Sequence, residues 1–217
     1  MLKHSIGKKI LIALTGLFLI SFLVIHAGIN SLIWVNDGGV TFSHAAHFMG
    51  TNIVIRTLEI GLVLGFLIHI FGTIALWIQN RRARPQGYAV SRASANSTWY
   101  SRSMALLGTL ILLFLILHTS HFWIPNRTNQ FVTGQELNLF TMMQQIFRNP
   151  VIVIVYAAGC FSLFWHLLHG FRSAFQSLGL NHIRYNGLIR FAGTAFAVVI
   201  PAAFAMMPVS MYFGWVK

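Results

Sequence analysis

Five long apolar stretches, near residues 10–35, 52–79, 103–125, 150–175 and 187–213, divide this chain. Each reaches the roughly 20 residues that a helix needs to cross a bilayer. None of the connections between them approaches the roughly 50 residues of the smallest independent domains. Lipid hydrocarbon offers no partners for backbone N–H and C=O groups, so spanning segments of this length must be helices. The expectation is an all-α integral membrane protein of five transmembrane helices, forming a single domain over residues 1–217.

Composition agrees with this. Hydrophobic residues make up 56% of the chain and charged residues 8%, against about 25% charged in soluble proteins. The basic start, Met1 to Lys9, resembles a signal peptide, but the apolar run behind it continues to about Val35 without a small-residue cleavage site. It therefore reads as an uncleaved first span.

Fifteen Lys and Arg residues are opposed only by Asp37, Glu59 and Glu136, a formal net charge of +12. In a soluble chain it would suggest nucleic acid. Here Lys and Arg divide by side, which points to anionic lipid and not to nucleic acid. Lys3, Lys8, Lys9, Arg81, Arg82, Arg84, Arg92, Arg102, Arg172, Arg184 and Arg190 fall on one side of the zigzag. Arg127, Arg148 and Lys217 fall on the other, with Arg56 just inside the second span. The positive-inside rule then puts the N-terminus in the cytoplasm and the C-terminus outside.

Several features are read as structural. Cys160 is the single cysteine, which excludes an internal disulfide, a C-x-x-C-H haem attachment and a chain-borne iron–sulfur cluster with cysteine ligands. Pro201 and Pro208 interrupt the fifth span, where neighbouring helices can satisfy the freed backbone groups. Met206, Met207 and Met211 suit packing or lipid contact better than soft-metal binding. Asn96 and Asn126 begin N-x-T-type glycosylation matches. The first is on the cytoplasmic side by this topology, and both are discounted.

The histidines are the anomaly. There are ten, and His26, His69, His118, His121, His166 and His169 lie within the first four spans while the fifth has none. One intramembrane imidazole can be a neutral side chain bonded to a neighbouring helix. Ionisable groups on four helices are costly enough to suggest function. At the helical rise, His26 is roughly 25 Å from Lys9 and His118 roughly 24 Å from Arg102, whereas His69 is roughly 18 Å from Arg81 and His166 roughly 9 Å from Arg172. The first and third helices thus carry an outer pair, and the second and fourth an inner pair. Two bis-histidine sites at different depths suit two b-type haems stacked across a bundle of the first four helices.

Small residues let a flat macrocycle approach a helix: Gly28 follows His26, Gly72 follows His69 and Gly170 follows His166, with Gly159 two turns before His166 on the same face and Gly65 one turn before His69. Ordinary small-residue helix packing would enrich glycine equally. Depth also separates the doublets "LHTSH" and "HLLH": His121 and His169 lie toward the interfaces, suited to propionate or quinone hydrogen bonds or to water. Neither doublet has the H-E-x-x-H pattern of a catalytic zinc helix.

With these pieces in view, the chain resembles the cytochrome b membrane-anchor subunit of bacterial succinate dehydrogenase and fumarate reductase, of the single-chain, five-helix, dihaem type that uses menaquinone. The resemblance rests on "TGLFLISFLVIHAGIN" (15–30), "HAAHFM" with "RTLEI" (44–60), "LIHIFG" (67–72), "GTLILLFLILH" (108–118) and "YAAGCFSLFWHLLHG" (156–170). It implies His26 and His118 as ligands of a distal haem b, and His69 and His166 of a proximal one. His169 stands where some members have no such residue, and is assigned beside the ligand shell.

The resemblance further implies a flavoprotein subunit and an iron–sulfur subunit as partners, location in the bacterial cytoplasmic membrane, and electron transfer between succinate and menaquinone. The dicarboxylate chemistry would sit on the flavoprotein. Glu59, three residues from Arg56, is either half of a structural ion pair or the proton-transferring group of a quinone site. Rival readings are the haem b subunit of a formate dehydrogenase, hydrogenase or nitrate reductase, which usually distribute their ligands differently, and a His-relay transporter. The last would need a continuing polar path that these aliphatic and aromatic spans do not offer.

Overall fold

The computed structural model describes residues 5–83 and 98–216. Of the positions used above, Met1, Lys3, Arg84, Arg92, Asn96 and Lys217 lie outside the described residues. Those described form an all-α membrane protein with five helical spans, Ser5–Val35, Ile53–Arg82, Met104–Thr133, Pro150–Ser177 and Ile183–Tyr212.

The elements in chain order are α1 (Ser5–Ser31), continued by a 3-10 turn at Leu32–Val35, α2 (Val40–Thr51), α3 (Ile53–Arg82), α4 (Trp99–Arg102), α5 (Met104–His118), a π-helical turn (Thr119–Trp123), α6 (Ile124–Thr133), α7 (Leu139–Ile146), α8 (Pro150–Ser177) and α9 (Ile183–Tyr212). Local chemistry sets several starts. Asn52 accepts N–H bonds from Val54 and Ile55 at the head of α3. Asn149 accepts from Val151 at the head of α8, where Pro150 fills a first-turn position whose N–H would have no intrahelical acceptor.

Two features stand out against the sequence reading. The third span runs to Thr133, beyond the 125 read from hydropathy, because α6 continues the helix with polar residues such as Asn126 and Arg127 that hydropathy rejects. Its passage includes the π turn. Pro125 has no N–H, so an α-helical carbonyl one turn earlier would lack its donor, and wider hydrogen bonding there accommodates the gap.

The second difference is a cap. The connections at the end opposite the N-terminus contain α2 and α7, which pack with Ile33, Phe147, Tyr156 and Met207 into the main buried cluster through Phe42, Phe140 and Met143. Gly38 and Gly39 turn the chain into α2 with φ of 73° and 78°. A β-carbon on Gly39 would collide with the Phe140 ring. Asp37 accepts from the Thr41 backbone N–H at 2.9 Å and from its hydroxyl at 2.5 Å. These bonds hold the Asp37 carboxyl below the ordinary range.

In the bundle, α1 packs against α3, α8 and α9, and α8 packs against α1, α5 and α9. Neither α1 with α5 nor α3 with α8 forms a packed backbone interface, and α3 with α5 does not either. The first four spans therefore form a square whose diagonals are α1–α5 and α3–α8, with its α3–α5 edge open. α9 covers the α1–α8 side.

Candidate functional site

Both diagonals are bridged by imidazoles. His26 on α1 faces His118 on α5, with ring centres 5.8 Å apart and planes at 88°. His69 on α3 faces His166 on α8, with centres 6.3 Å apart and planes at 69°. The first pair lies toward the capped end, the second toward the end bearing Lys8 and Lys9. A single metal ion bonded to both rings at about 2.0–2.1 Å would separate their centres by about 6 Å, once each ring's own radius is added. Each pair could therefore hold one metal whose other ligands come from elsewhere. Among the described residues no group of three or more His, Cys, Asp or Glu side chains is arranged to hold an ion alone.

Each pair contains one ring with a partner at Nδ1 and one without. The Thr15 hydroxyl lies 3.3 Å from His69 Nδ1 and donates its own hydrogen to the backbone carbonyls of Leu11 and Ile12. It can then only accept from Nδ1–H, which leaves the lone pair of His69 on Nε2, the form that binds a metal. Asn30 Nδ2 approaches His26 Nδ1 at 3.4 Å while donating to the His26 carbonyl. By contrast, Nδ1 of His118 and Nδ1 of His166 are buried with no hydrogen-bond partner. Buried polar atoms are nearly always satisfied, so each such exception calls for a physical account.

Apolar rings fix the imidazoles. Phe22 stacks on His26 at 5.1 Å and Phe114 on His118 at 5.7 Å, and Phe204 of α9 also meets His26. The glycines divide. A β-carbon at Gly28 or Gly170 would meet nothing within 4 Å. One at Gly72 would touch Ile12 at 3.3 Å, and one at Gly159 would lie 2.5 Å from the Phe114 ring.

The second members of the doublets have separate surroundings. His121, in the π turn, bonds through Nδ1 with the Tyr156 hydroxyl at 2.9 Å and stacks on that ring at 3°. Tyr156 also contacts His118, at 6.0 Å, so it links the two histidines of "LHTSH". His169 lies 6.3 Å from Tyr100, in a cluster where Trp165 packs against Trp99 and Tyr100. Trp165 Nε1 is buried there without a partner.

A third cluster closes the capped end of the open α3–α5 edge. Glu59 Oε1 accepts from Trp123 Nε1 at 2.6 Å and from Arg127 Nε at 3.2 Å, while Oε2 accepts from the Arg127 guanidinium at 2.9 Å and from Arg56. Four donors fill the roughly four lone-pair sites of a carboxylate. With one acid and two arginines, the cluster carries one excess positive charge. Beside it lies an apolar cleft of about 440 Å³ lined by Ile53, Arg56, Thr57, Glu59, Ile60, Val63 and Trp123.

The Arg56–Glu59 pairing was readable from spacing. Trp123 and Arg127 were not, because they approach Glu59 only across the bundle. An available signal was the scarcity of acid: in a chain with three carboxylates, an intramembrane Glu attracts more than one cation. Tyr156 and Thr15 gave no signal in sequence. The chain matches no family model, no curated protein and no solved structure.

Proposed function

We propose that this chain is the dihaem cytochrome b anchor subunit of a succinate:menaquinone oxidoreductase. The observation that carries the reading is the pair of imidazole bridges across both diagonals of the bundle, centred 5.8 Å and 6.3 Å apart at two levels. A haem held by two imidazoles would take one from each of two facing helices. His26 with His118, and His69 with His166, fit that requirement, and the unpacked diagonals fit the insertion of a flat group between helices. When bound, the haems supply one-electron transfer between the two levels.

The chain's own residues bind and orient. Thr15 meets His69 at Nδ1 and so favours a free lone pair on Nε2, Phe22 and Phe114 set ring planes, and the apolar spans exclude water and so hold the sites at low dielectric. The basic end faces the cytoplasm of a bacterial cell by the charge rule, which places the His69–His166 pair on the side where an iron–sulfur subunit and its flavoprotein would deliver electrons. The 440 Å³ cleft beside Glu59 opens toward lipid near the other pair, where a membrane quinone can enter. Its positive excess favours carbonyl oxygens that gain negative charge on reduction. Glu59 takes or gives a proton once one of its donors moves aside. Arg56, at 38% exposed against 19% for Arg127, is held by fewer neighbours and is the better placed of the two to release it.

The test is a reduced-minus-oxidised optical spectrum of the purified complex, with haem extracted and counted. Two b-type haems per chain are expected. A chain expressed with ample haem that holds none overturns the proposal, and reduction by formate or hydrogen in place of succinate would assign it to another respiratory enzyme.

A further inference from the structure

At the end of the bundle bearing the N-terminus, the turn between α8 and α9 encloses a small cavity of about 70 Å³ between Arg172 and Arg190, with Gln176, Asn181 and Asn186 on its walls. We propose that this cavity binds the phosphate group of an anionic phospholipid. The proposal is independent of the haem reading.

Charge is the first support. The chain has three acidic residues, and all of them lie elsewhere: Asp37 ahead of α2, Glu59 near the start of α3 and Glu136 after α6. The acid–base pairs formed are His47 with Glu136, Arg56 with Glu59 and Arg127 with Glu59. Among the described residues no carboxylate pairs with Arg172 or Arg190, so their two exposed guanidinium groups are open to an external anion. Two guanidinium groups from two helices match a phosphate better than a halide, because each can donate in parallel to two oxygens.

Donors and depth are the second support. Asn186 uses Oδ1 to accept from the His182 N–H at 3.1 Å, which leaves its amide nitrogen as a donor for an anion. Phe175, Leu180 and Ile189 complete the lining, and the cavity sits where two apolar spans leave the bilayer. A ligand there needs an anionic head and an apolar tail, and basic pockets between spans at that level are suited to lipid headgroups.

Binding is measured on the purified protein in detergent by native mass spectrometry and by thermal shift. The probes are dioctanoyl-phosphatidylglycerol, dioctanoyl-phosphatidylcholine and inorganic phosphate. Phosphatidylglycerol should bind and raise the melting temperature, phosphatidylcholine should bind far more weakly, and inorganic phosphate at millimolar concentration should compete.

The double variant Arg172→Gln/Arg190→Gln should lose about tenfold or more in affinity for phosphatidylglycerol. Arg184→Gln, outside the cavity at the same end, should bind as the parent does. Arg172→Lys/Arg190→Lys controls for folding, since it keeps the charge while losing the forked geometry, and should bind with intermediate affinity. Unchanged binding in a folded double Gln variant overturns the proposal, as does equal binding of both lipids. Binding of inorganic phosphate without phosphatidylglycerol overturns the lipid source.

Discussion

Trp123 donates its indole N–H to Glu59 Oε1 at 2.6 Å across an edge of the bundle where α3 and α5 share no packed interface. With Arg127, which reaches both oxygens of the same carboxylate, it ties together two spans that are otherwise free to part. Glu59 is therefore a strut as well as a candidate proton carrier, and the two roles predict different mutants.

Replacing Glu59 with Gln keeps the volume and one acceptor but removes the charge that two arginines share. Glu59 and Arg127 are partly buried, with 18% and 19% of their side chains exposed, so losing the charge should cost about 1–3 kcal/mol and lower the melting temperature. Quinone reduction should be lost while both haem spectra remain. Arg56→Gln is the discriminating partner: it leaves three of the four donors on Glu59 and should melt close to the parent. Turnover with a menaquinone analogue and the haem spectrum are measured on both. Normal turnover in Glu59→Gln removes the proton-transfer role.

Each ligand substitution should remove one haem and not both. His118→Ala or His26→Ala should eliminate the haem at the capped end, and His69→Ala or His166→Ala the haem at the basic end. Redox titration of the haem α band then shows which of two midpoints disappears. Pairing is tested by the double variants: His26→Ala/His118→Ala should still hold one haem, whereas His26→Ala/His69→Ala should hold none. The opposite result would break the diagonal assignment.

The five spans were legible in the sequence because hydropathy is a local property, and so were the levels of the four histidines, since helical rise converts position into depth. The diagonals were only half legible: depth says which rings share a level, not which helices leave space between them. Nothing local announced the cap of α2 and α7, because its stability comes from Phe42, Phe140 and Met143 meeting across long separations. Trp123 and Arg127 escaped for the same reason. The glycines show the limit of reading small residues alone, for Gly159 lies against Phe114 while Gly28 has open space beside it.

Gly159 supplies a packing test. A β-carbon there would meet the Phe114 ring at 2.5 Å, and that ring stacks on His118. Gly159→Val should destabilise by about 1–3 kcal/mol through overpacking and should perturb only the haem at the capped end. Gly28→Ala, with nothing within 4 Å, should be near neutral in a structure without haem. In the haem-loaded protein it should lower haem retention if the macrocycle passes that helix face. Chemical melts and haem content are read on both variants.

Tyr156 joins His121 to the His118 surroundings through one hydroxyl. Tyr156→Phe preserves the ring contacts with Phe114 and Phe147 and removes only the bond to His121 Nδ1. The expected loss is about 0.5–1.5 kcal/mol, small enough for the fold and haem content to survive. The consequence for function should be larger, because the bond that fixes Nδ1 of His121 beside His118 is gone while the ring stack remains. A shifted midpoint for the haem at the capped end, with the other midpoint unchanged, is the result that makes Tyr156 a positioning residue. His121→Ala should reproduce that shift, and its absence in both variants would leave the hydroxyl with a packing role alone.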